Sequence, residues 1–263
     1  MQQKKPFPPH ESIRVVPLHQ PKAEHIIPGT LTQKKKKKKA ATQLTYRGGA
    51  LLPNVEVFTI FWGADWQTSL KDTATQLNQF YQAILQSTLM DELSEYDTPK
   101  YKIGRGKLTG TITITENAPA QTITDTEIQT QLLSWIKSNK SFPKPNANTL
   151  YFIYFDTGIS VSMGGSSSCS SFCGYHNNAD TTTFYAVMPY PDCAGCLGGN
   201  KPLDALTATS SHELCEAITD PIPGSGWYDD TYGEIGDICA WKFKTLDGYN
   251  VQLEWSNKNN KCI

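Results

Sequence analysis

The sequence predicts an α/β to α+β fold in which helices are layered on a mixed sheet. Short apolar runs of strand length alternate along the chain with longer segments whose apolar residues recur at helical spacing, an order typical of a single layered domain. The first 43 residues show neither pattern. We therefore expect one folded domain over residues 44–263, preceded by a disordered basic arm over residues 1–43.

Five segments form the first half of the predicted domain. A continuous apolar run from Val55 to Trp62 predicts a buried strand, and apolar residues three, four and seven apart predict a helix from Trp66 to Leu89. Leu108 to Thr115 alternates as a strand, Asp125 to Ser138 has helical periodicity, and Leu150 to Phe155 is a strongly apolar strand. This alternation of strand and helix places helices against a sheet.

The second half begins with a segment rich in Gly, Ser and Cys, Met163 to Asp180, which predicts a loop. Phe184 to Tyr190 predicts a strand, and Pro202 to Thr219 a third helix that Pro221 ends. Tyr249 to Trp255 predicts the last strand.

The arm is rich in Pro, Gln, Lys and His and has few large apolar residues, so it cannot bury enough surface to compensate the cost of ordering. Its lysine run, Lys34 to Lys39, could contact a polyanion weakly. No aromatic residues are interleaved with these lysines and no helical face forms. A solvated tail without a specific nucleic-acid partner is therefore the favoured interpretation.

The net charge of −1 conceals two opposite parts of the chain. Residues 1–40 contain ten basic and two acidic residues, which gives a net charge of +8. Between Pro145 and Trp241, eleven acidic residues stand against one basic residue, Lys201, which gives −10. Carboxylates gathered closely repel one another unless a cation neutralises them, so this acidic segment is where a metal site is expected.

The cysteine pattern indicates whether the protein folds in an oxidising compartment. Seven cysteines occur, at Cys169, Cys173, Cys193, Cys196, Cys215, Cys239 and Cys262. Their clustering predicts a disulfide framework with at least one unpaired thiol, although a four-thiolate zinc site from the first four residues is an alternative. No apolar run reaches the roughly 20 residues of a membrane span, and the first residues lack the apolar stretch of a signal peptide.

The chemistry is concentrated on the third predicted helix, where His212-Glu213-Leu214-Cys215-Glu216 forms an H-E-x-x-E motif. Helical geometry places Glu216 about 40° round from His212 and one turn along, so both side chains can hold one ion. Glu213 flanks the ion without having to bind it. This is the H-E-x-x-H pattern of zinc metalloproteases with a carboxylate in place of the second imidazole, and zinc accepts either ligand.

A catalytic zinc needs a third protein ligand and keeps a fourth position for water. Asp220 lies two helical turns beyond His212, too far along an unbroken helix to reach the same ion. Acidic residues in the Gly-rich segment after the helix can fold back. Glu234 and Asp237 are the favoured ligands among these, and His176 is a candidate outside the helix.

These residues predict a zinc-dependent metallopeptidase. Glu213 would act as general base for water activated by zinc, and Tyr228 or His176 would donate to the developing oxyanion, although a structural role for Tyr228 is equally compatible. An extended peptide substrate could pair along Phe184 to Tyr190, taken as an edge strand.

Three alternatives remain open at this point. The acidic residues could form a solvated face without a ligand, because H-E-x-x-E alone is a weak signal. Calcium could bind an all-oxygen set, Asp229, Asp230, Glu234 and Asp237. Cys215 with His212, or Cys173 with His176, could be drawn as nucleophile and base, but disulfide or packing roles suit these cysteines better.

Several segments resemble the EXORDIUM family, also called the phosphate-induced protein family, whose members are extracellular proteins associated with cell expansion in plants, with relatives in microbes. The similar segments keep the family's order from about residue 44 to the end of the chain. They are Leu44 to Gly49, Phe172 to His176, Tyr185 to Pro191 with Cys193-x2-Cys196, Ser211 to Ala217, Trp227-Tyr228, Glu234 to Cys239 and Val251 to Trp255.

The resemblance implies secretion and a single site that contains His176, His212, Glu213, Glu216, Glu234 and Asp237. The leading hypothesis is a secreted, zincin-like domain that binds zinc and hydrolyses peptides. The alternative is a non-catalytic extracellular protein that binds cell-wall material or a partner and holds a structural zinc or calcium ion.

Two positions depart from the family's pattern. Thr219-Asp220-Pro221 stands where an Asn-Pro is expected, and Cys215 stands where a small apolar residue is expected. The first departure disfavours Asp220 as an essential metal ligand.

Overall fold

The computed structural model describes residues 16–17 and 42–263. The strands in these residues are β1 Thr45–Tyr46, β2 Glu56–Trp62, β3 Lys107–Ile114, β4 Thr122–Thr124, β5 Thr149–Phe155, β6 Ser160–Met163, β7 Ser166–Ser167, β8 Tyr175–Asn178, β9 Phe184–Met188, β10 Trp227–Tyr228, β11 Phe243–Leu246, β12 Tyr249–Gln252, β13 Trp255–Ser256 and β14 Lys261–Cys262. The α-helices are α1 Lys71–Ile84, α2 Thr88–Glu92, α3 Asp125–Ser138, α4 Ala194–Leu197 and α5 Pro202–Thr219. None of these helices combines the length and apolar character needed to cross a lipid bilayer.

The central sheet has five strands in the order β3-β2-β5-β9-β8. Four of them run parallel, whereas β8 pairs with β9 in the antiparallel direction. Parallel neighbours need crossover connections, and helices α1 to α3 lie in the connections that join β2, β3 and β5. This mixed sheet with helices confirms the predicted α/β to α+β class.

Two apolar clusters cover the two faces of the sheet. Residues of β5 alternate between them: Phe152 and Tyr154 join the cluster that contains residues of α1 and α5, and Tyr151 and Ile153 join the cluster that contains residues of α3. All seven residues of β5 are buried. A strand covered on both faces has no reason to alternate polar and apolar residues, which explains the continuous apolar run in the sequence.

The predicted bounds of α3 and α5 are confirmed because local signals define their ends. Thr124 caps α3 by accepting from the backbone N–H of Glu127, whose side chain accepts in return from the Thr124 N–H. Pro202 occupies the start of α5, where its missing N–H costs no hydrogen bond.

The helix predicted from Trp66 to Leu89 is wrong as a single element. A 3₁₀ turn, Asp65–Gln67, precedes α1, and α2 begins separately at Thr88. Ser87 starts α2 by accepting a hydrogen bond from the Leu89 N–H at 3.2 Å. A side-chain cap of this kind begins a new helix rather than continuing the previous one.

The loop predicted from Met163 to Asp180 is also wrong, because it contains β7 and the edge strand β8. Strand β8 reads Tyr-His-Asn-Asn, and its first three residues are buried. A strand with polar residues on both faces carries no apolar alternation, so periodicity could not find it. The predicted strand Tyr249 to Trp255 is divided between β12, which pairs with β11, and β13, which pairs with β14.

Two residues of the predicted arm have a defined place. Val16 is only 3% exposed, and its backbone N–H donates to Gly174 O at 3.0 Å. Its carbonyl accepts from the Cys173 N–H at 2.8 Å. The prediction of a wholly disordered arm is therefore wrong at Val16 and Pro17, and the lysine run lies outside the described residues.

Three disulfides confirm the predicted framework: Cys169–Cys193, Cys173–Cys196 and Cys239–Cys262. The four-thiolate zinc alternative is wrong because its four sulfur atoms are used in the first two bonds. Cys215 is the free cysteine of the chain and is buried in the apolar cluster beside α5. Burial raises the pKa of its thiol well above the usual value, which supports a packing role over that of a nucleophile.

The packing of α5 can be tested at Leu214, whose side chain is fully buried. Leu214→Ala leaves a cavity, so we expect the free energy of unfolding to fall by about 2–5 kcal/mol. Leu133→Ala on α3 is the matched control, because Leu133 is 38% exposed and should change the free energy by about 0.5 kcal/mol or less. Urea unfolding of both variants measures the difference, and equal effects would contradict this placement of α5.

Candidate metal centre

Helix α5 carries His212, Glu213 and Glu216 into the interior of the domain. All three side chains have no exposed surface. The interpretation of the acidic residues as a solvated face is therefore wrong for this helix. A buried charged group is costly unless a partner or an ion compensates it, so the surroundings of these side chains decide their role.

Gln252 on β12 fixes the orientation of His212. The Gln252 Nε2 amide donates to the Gly236 carbonyl at 2.9 Å, which turns its Oε1 toward His212 Nδ1 at 3.0 Å. Because Oε1 can only accept, Nδ1 carries the proton of the imidazole ring. His212 Nε2 is then the nitrogen available to a metal ion, and such support from a second residue is usual for metal-binding histidines.

Glu216 lies between the two histidines. Its Oε1 is 2.9 Å from His212 Nε2 and accepts from the Asp237 backbone N–H at 3.1 Å. Its Oε2 is 3.6 Å from His176 Nδ1 and has no hydrogen-bond partner. The two carboxylate oxygens therefore face different histidines.

His176 reaches this cluster from the edge strand β8. Its Nε2 is 3.1 Å from the backbone carbonyl of Asp220, which can only accept, so Nε2 carries a proton. Its Nδ1 is 3.1 Å from Glu213 Oε2. Glu234 Oε1 lies 3.5 Å from Nε2 on the other side of the ring. The candidate outside the helix is thus part of the same cluster as the H-E-x-x-E motif.

The segment that carries Glu234 and Asp237 packs directly against α5. The Glu234 backbone N–H donates to Asp237 Oδ2 at 3.0 Å, which closes the turn that carries both residues. A Cβ added at Gly236 would meet Glu216 Oε1 and His212 Nδ1 at 2.9 Å. Only glycine lets the backbone approach the helix this closely.

Among the described residues, five polar atoms inside the cluster find no hydrogen-bond partner. They are His212 Nε2, Glu213 Oε1, Glu216 Oε2 and both carboxylate oxygens of Glu234. Buried polar atoms almost always have a partner, and lone pairs that converge without one suit a cation. The donor set of imidazole nitrogen and carboxylate oxygen is one that zinc accepts.

The pKa values show that the negative charge of the cluster is poorly compensated without a cation. Burial raises the pKa of Asp237 to about 7, and the charge of Glu216 adds to the shift. Burial also raises the pKa of Glu234 well above its usual value. For Glu216 burial acts in the same direction, but His212 and His176 outweigh it and lower the pKa to about 2. Protons compensate part of the negative charge here, where a metal ion could do so instead.

The cluster contains two groups of three possible metal ligands. In each group, every residue offers one ligand atom, and the three atoms lie within 4.8 Å of one another. The first is His212, Glu216 and Asp237, and the second is His176, Glu216 and Glu234. Both ligands favoured from sequence, Glu234 and Asp237, are thus in reach of Glu216, although in different groups.

The all-oxygen calcium set is not brought together. Asp229 accepts from the backbone N–H groups of Thr231 and Tyr232, and Asp230 pairs with Arg47 at the surface, where its side chain is 86% exposed. Among the described residues, no group of metal-ligating side chains contains either aspartate. The calcium alternative in that form is wrong.

Asp220 has a structural role that agrees with its exclusion as a ligand. Its carboxylate accepts from the backbone N–H groups of Gly224, Ser225 and Gly226, which closes the turn after α5. Tyr228 pairs with Thr45 between β10 and β1, and the Arg47 guanidinium lies 4.4 Å from the centre of its ring. This placement favours a structural role for Tyr228.

The predicted substrate strand also needs correction. Phe184 to Tyr190 was expected at an edge, but β9 lies between β5 and β8 and is paired on both sides. The edge next to the cluster is β8, which carries His176.

Sequence reasoning missed two buried residues near the cluster, Gln252 and Glu254. The first lies next to α5 through a hydrogen bond from its backbone N–H to Ser211 Oγ at 2.9 Å. The second is 2% exposed, and no described residue gives a hydrogen bond to either of its carboxylate oxygens. Both lie in the Val251 to Trp255 segment of the family resemblance, which was the one signal that could have pointed to them.

Comparison with known proteins gives no match: no family model, no curated protein and no solved structure is significantly similar to the chain. The functional argument therefore depends on the geometry of the cluster.

The raised pKa values predict how stability depends on pH after chelator treatment. Asp237 has a pKa of about 7 in the folded chain against 3.8 ordinarily, and Asp220 about 6 against 3.8. A raised carboxyl pKa stabilises the fold at low pH, and this contribution is lost as the pH rises through the folded-state pKa. The free energy of unfolding should therefore fall between pH 4 and pH 7.

Glu216 does not reverse this trend, because its lowered pKa affects stability only as the pH falls from 4.5 toward 2. Urea unfolding with chelator at several pH values measures the trend. With zinc present the fall should be smaller, because metal binding needs deprotonated ligands and tightens as the pH rises. Chelated protein that is equally stable at pH 4 and pH 7 would contradict these protonation states.

Proposed function

We propose that this protein is a zinc-dependent hydrolase of the metallopeptidase type. The proposal is carried by one observation: His212 Nε2 and Glu216 Oε1, one helical turn apart, lie 2.9 Å from each other in a fully buried place, and the nitrogen finds no hydrogen-bond partner in the part of the chain that the structure describes. H-E-x-x-H helices hold zinc in the same way, with two ligand atoms on one helix face. Here the two atoms are a nitrogen and an oxygen. His212, Glu216 and Asp237 would hold the ion.

Zinc bound there would supply a Lewis acid and a water whose pKa falls to about 7. Glu213 is placed to take a proton: its Oε2 is anchored to His176 Nδ1 at 3.1 Å, and its Oε1 has no partner. Burial raises the pKa of Glu213, which brings this carboxylate closer to the range of an effective general base. His176 would then orient Glu213 rather than donate to the oxyanion, because both of its ring nitrogens face other partners.

A peptide is the substrate class that the edge strand favours. In the described sheet, β8 is paired on one side only, and β8 carries His176 into the cluster. Extended peptides bind such edges by adding a strand. Main-chain pairing of Val16 with Cys173 and Gly174, just before β8, supports the idea that this edge accepts an extended chain. The H-E-x-x-E helix against a mixed sheet also supports a zincin-like architecture as part of the proposal.

The complete burial of the cluster favours a second function, that of a non-catalytic protein with a structural metal ion. His176, His212, Glu213, Glu216 and Glu234 all have no exposed surface. A peptide therefore has no direct access to these side chains. In this case the protein would bind cell-wall material or a partner, and the ion would stabilise the fold.

Secretion and membership of the EXORDIUM family belong to the proposal as well. Three disulfides are typical of an oxidising compartment and support an extracellular location. The family assignment is supported by the ordered sequence motifs. Its implied site residues are the same side chains that surround Glu216.

The general-base role is tested by Glu213→Gln. We expect the variant to retain stoichiometric zinc, because Glu213 is not a ligand, and to lose peptidase activity by about 10²- to 10⁴-fold in kcat. Glu116→Gln is the matched control, because Glu116 is exposed and far along the chain from α5, and it should change neither property. Elemental analysis of the purified protein measures bound zinc, and cleavage of a mixed peptide library measures peptidase activity.

Each outcome separates the two functions. If the protein binds zinc and cleaves peptides, and if Glu213→Gln abolishes this cleavage, the result supports the metallopeptidase. Zinc without hydrolysis of any library peptide, together with a lower unfolding midpoint after chelation, supports the structural ion. A chain that binds no zinc at neutral pH contradicts both.

A further inference from the structure

We propose that the cluster holds two divalent metal ions of the zinc class, with the carboxylate of Glu216 as a bridge between them. The first ion is that of the proposed function, on which this inference rests. The second would be bound by His176 and Glu234 together with Glu216, a set for which the sequence suggested no separate ion.

The first argument is the division of ligands around Glu216. Its Oε1 faces His212 and its Oε2 faces His176, at 2.9 Å and 3.6 Å from the nearest ring nitrogens. The two ligand groups share Glu216 and have no other member in common. A carboxylate with one oxygen in each group can bridge two ions, and two-metal hydrolytic sites hold their ions about 3.5–4 Å apart.

The second argument is the set of buried atoms that the first ion leaves unexplained. An ion held by His212, Glu216 and Asp237 gives no partner to either oxygen of Glu234, and both are unpartnered in a side chain with no exposed surface. Glu216 Oε2 is in the same situation. Of these oxygens, Glu216 Oε2 is 3.6 Å from His176 Nδ1 and Glu234 Oε1 is 3.5 Å from His176 Nε2, so both face the ring that would supply the nitrogen ligand of the second ion.

The third argument is charge. Four carboxylates, those of Glu213, Glu216, Glu234 and Asp237, surround two histidines that become neutral when they bind metal. One divalent ion would leave two negative charges in a place without solvent, and this is costly. Two divalent ions balance all four carboxylates. Asp220 is left out of this count because three backbone N–H groups bind its carboxylate and it belongs to neither ligand group.

The competing arrangement has one ion, with His176 serving only to orient Glu213. The number of bound ions therefore separates the two arrangements, and it can be measured without any assay of activity.

The first experiment is metal counting on the full chain. Chelated protein is dialysed against zinc at neutral pH, and zinc per chain is determined by elemental analysis. About two equivalents support the inference. A single equivalent overturns it and leaves the proposed function standing, whereas none overturns both.

Isosteric variants assign the second ion. Glu234→Gln should lower bound zinc from about two equivalents to about one while the first ion stays. Glu254→Gln is the matched control, because Glu254 is equally buried and unpartnered but belongs to neither ligand group, and it should retain two. If Glu234→Gln retains both ions, the ligand assignment is wrong.

Two further measurements keep the test independent of folding defects in a variant. Cobalt(II) is added to the chelated wild-type protein and followed by electron paramagnetic resonance. A bridged pair should lose signal per cobalt at the second equivalent because the two spins couple, whereas a signal that doubles overturns the bridge. Replacement of the arm histidines, His10, His19 and His25, by alanine should leave both equivalents bound, and loss of one would place that ion on the arm.

Discussion

The arrangement of this domain depends on the burial of several carboxylates beside two histidines around one helix. Charged groups out of reach of water need compensation, and the structure supplies it from three directions. Gln252 holds His212 from β12, the Asp220 carbonyl holds His176, and the Asp237 backbone N–H holds Glu216. Each of these contacts joins elements that are far apart in the chain, so the cluster is also a point where the fold is tied together.

The sheet brings the second histidine to this place. Strand β8 reverses direction against β9, and this antiparallel edge carries His176 toward α5, where His212 and Glu213 lie. Disulfides tether the chain just before β8, through Cys169 and Cys173. A polar strand at an edge would be weakly held by packing alone, so its covalent anchors and its histidine contacts together determine its position.

Local patterns explain which parts of the fold the sequence could predict. Helices α3 and α5 were found with their bounds because capping residues and periodicity act within a few residues. Strand β5 was found because burial on both faces makes it continuously apolar. Strand β8 was missed because its polar residues are buried by contacts with distant parts of the chain, and these leave no periodic signal.

For the site, the sequence by itself determined that His212 and Glu216 share one helix face and that Glu213 flanks it, because helical geometry is local and regular. It also narrowed the further ligands to Glu234 and Asp237 through the Gly-rich segment that holds them. Only the tertiary structure decided that these two residues join Glu216 in different groups and that His176 completes one of them. The reason is that such contacts join residues far apart in the chain, 21 positions for Glu216 and Asp237 and 37 for His176 and Glu213, and the packing of the sheet, the helix and the loop sets their geometry.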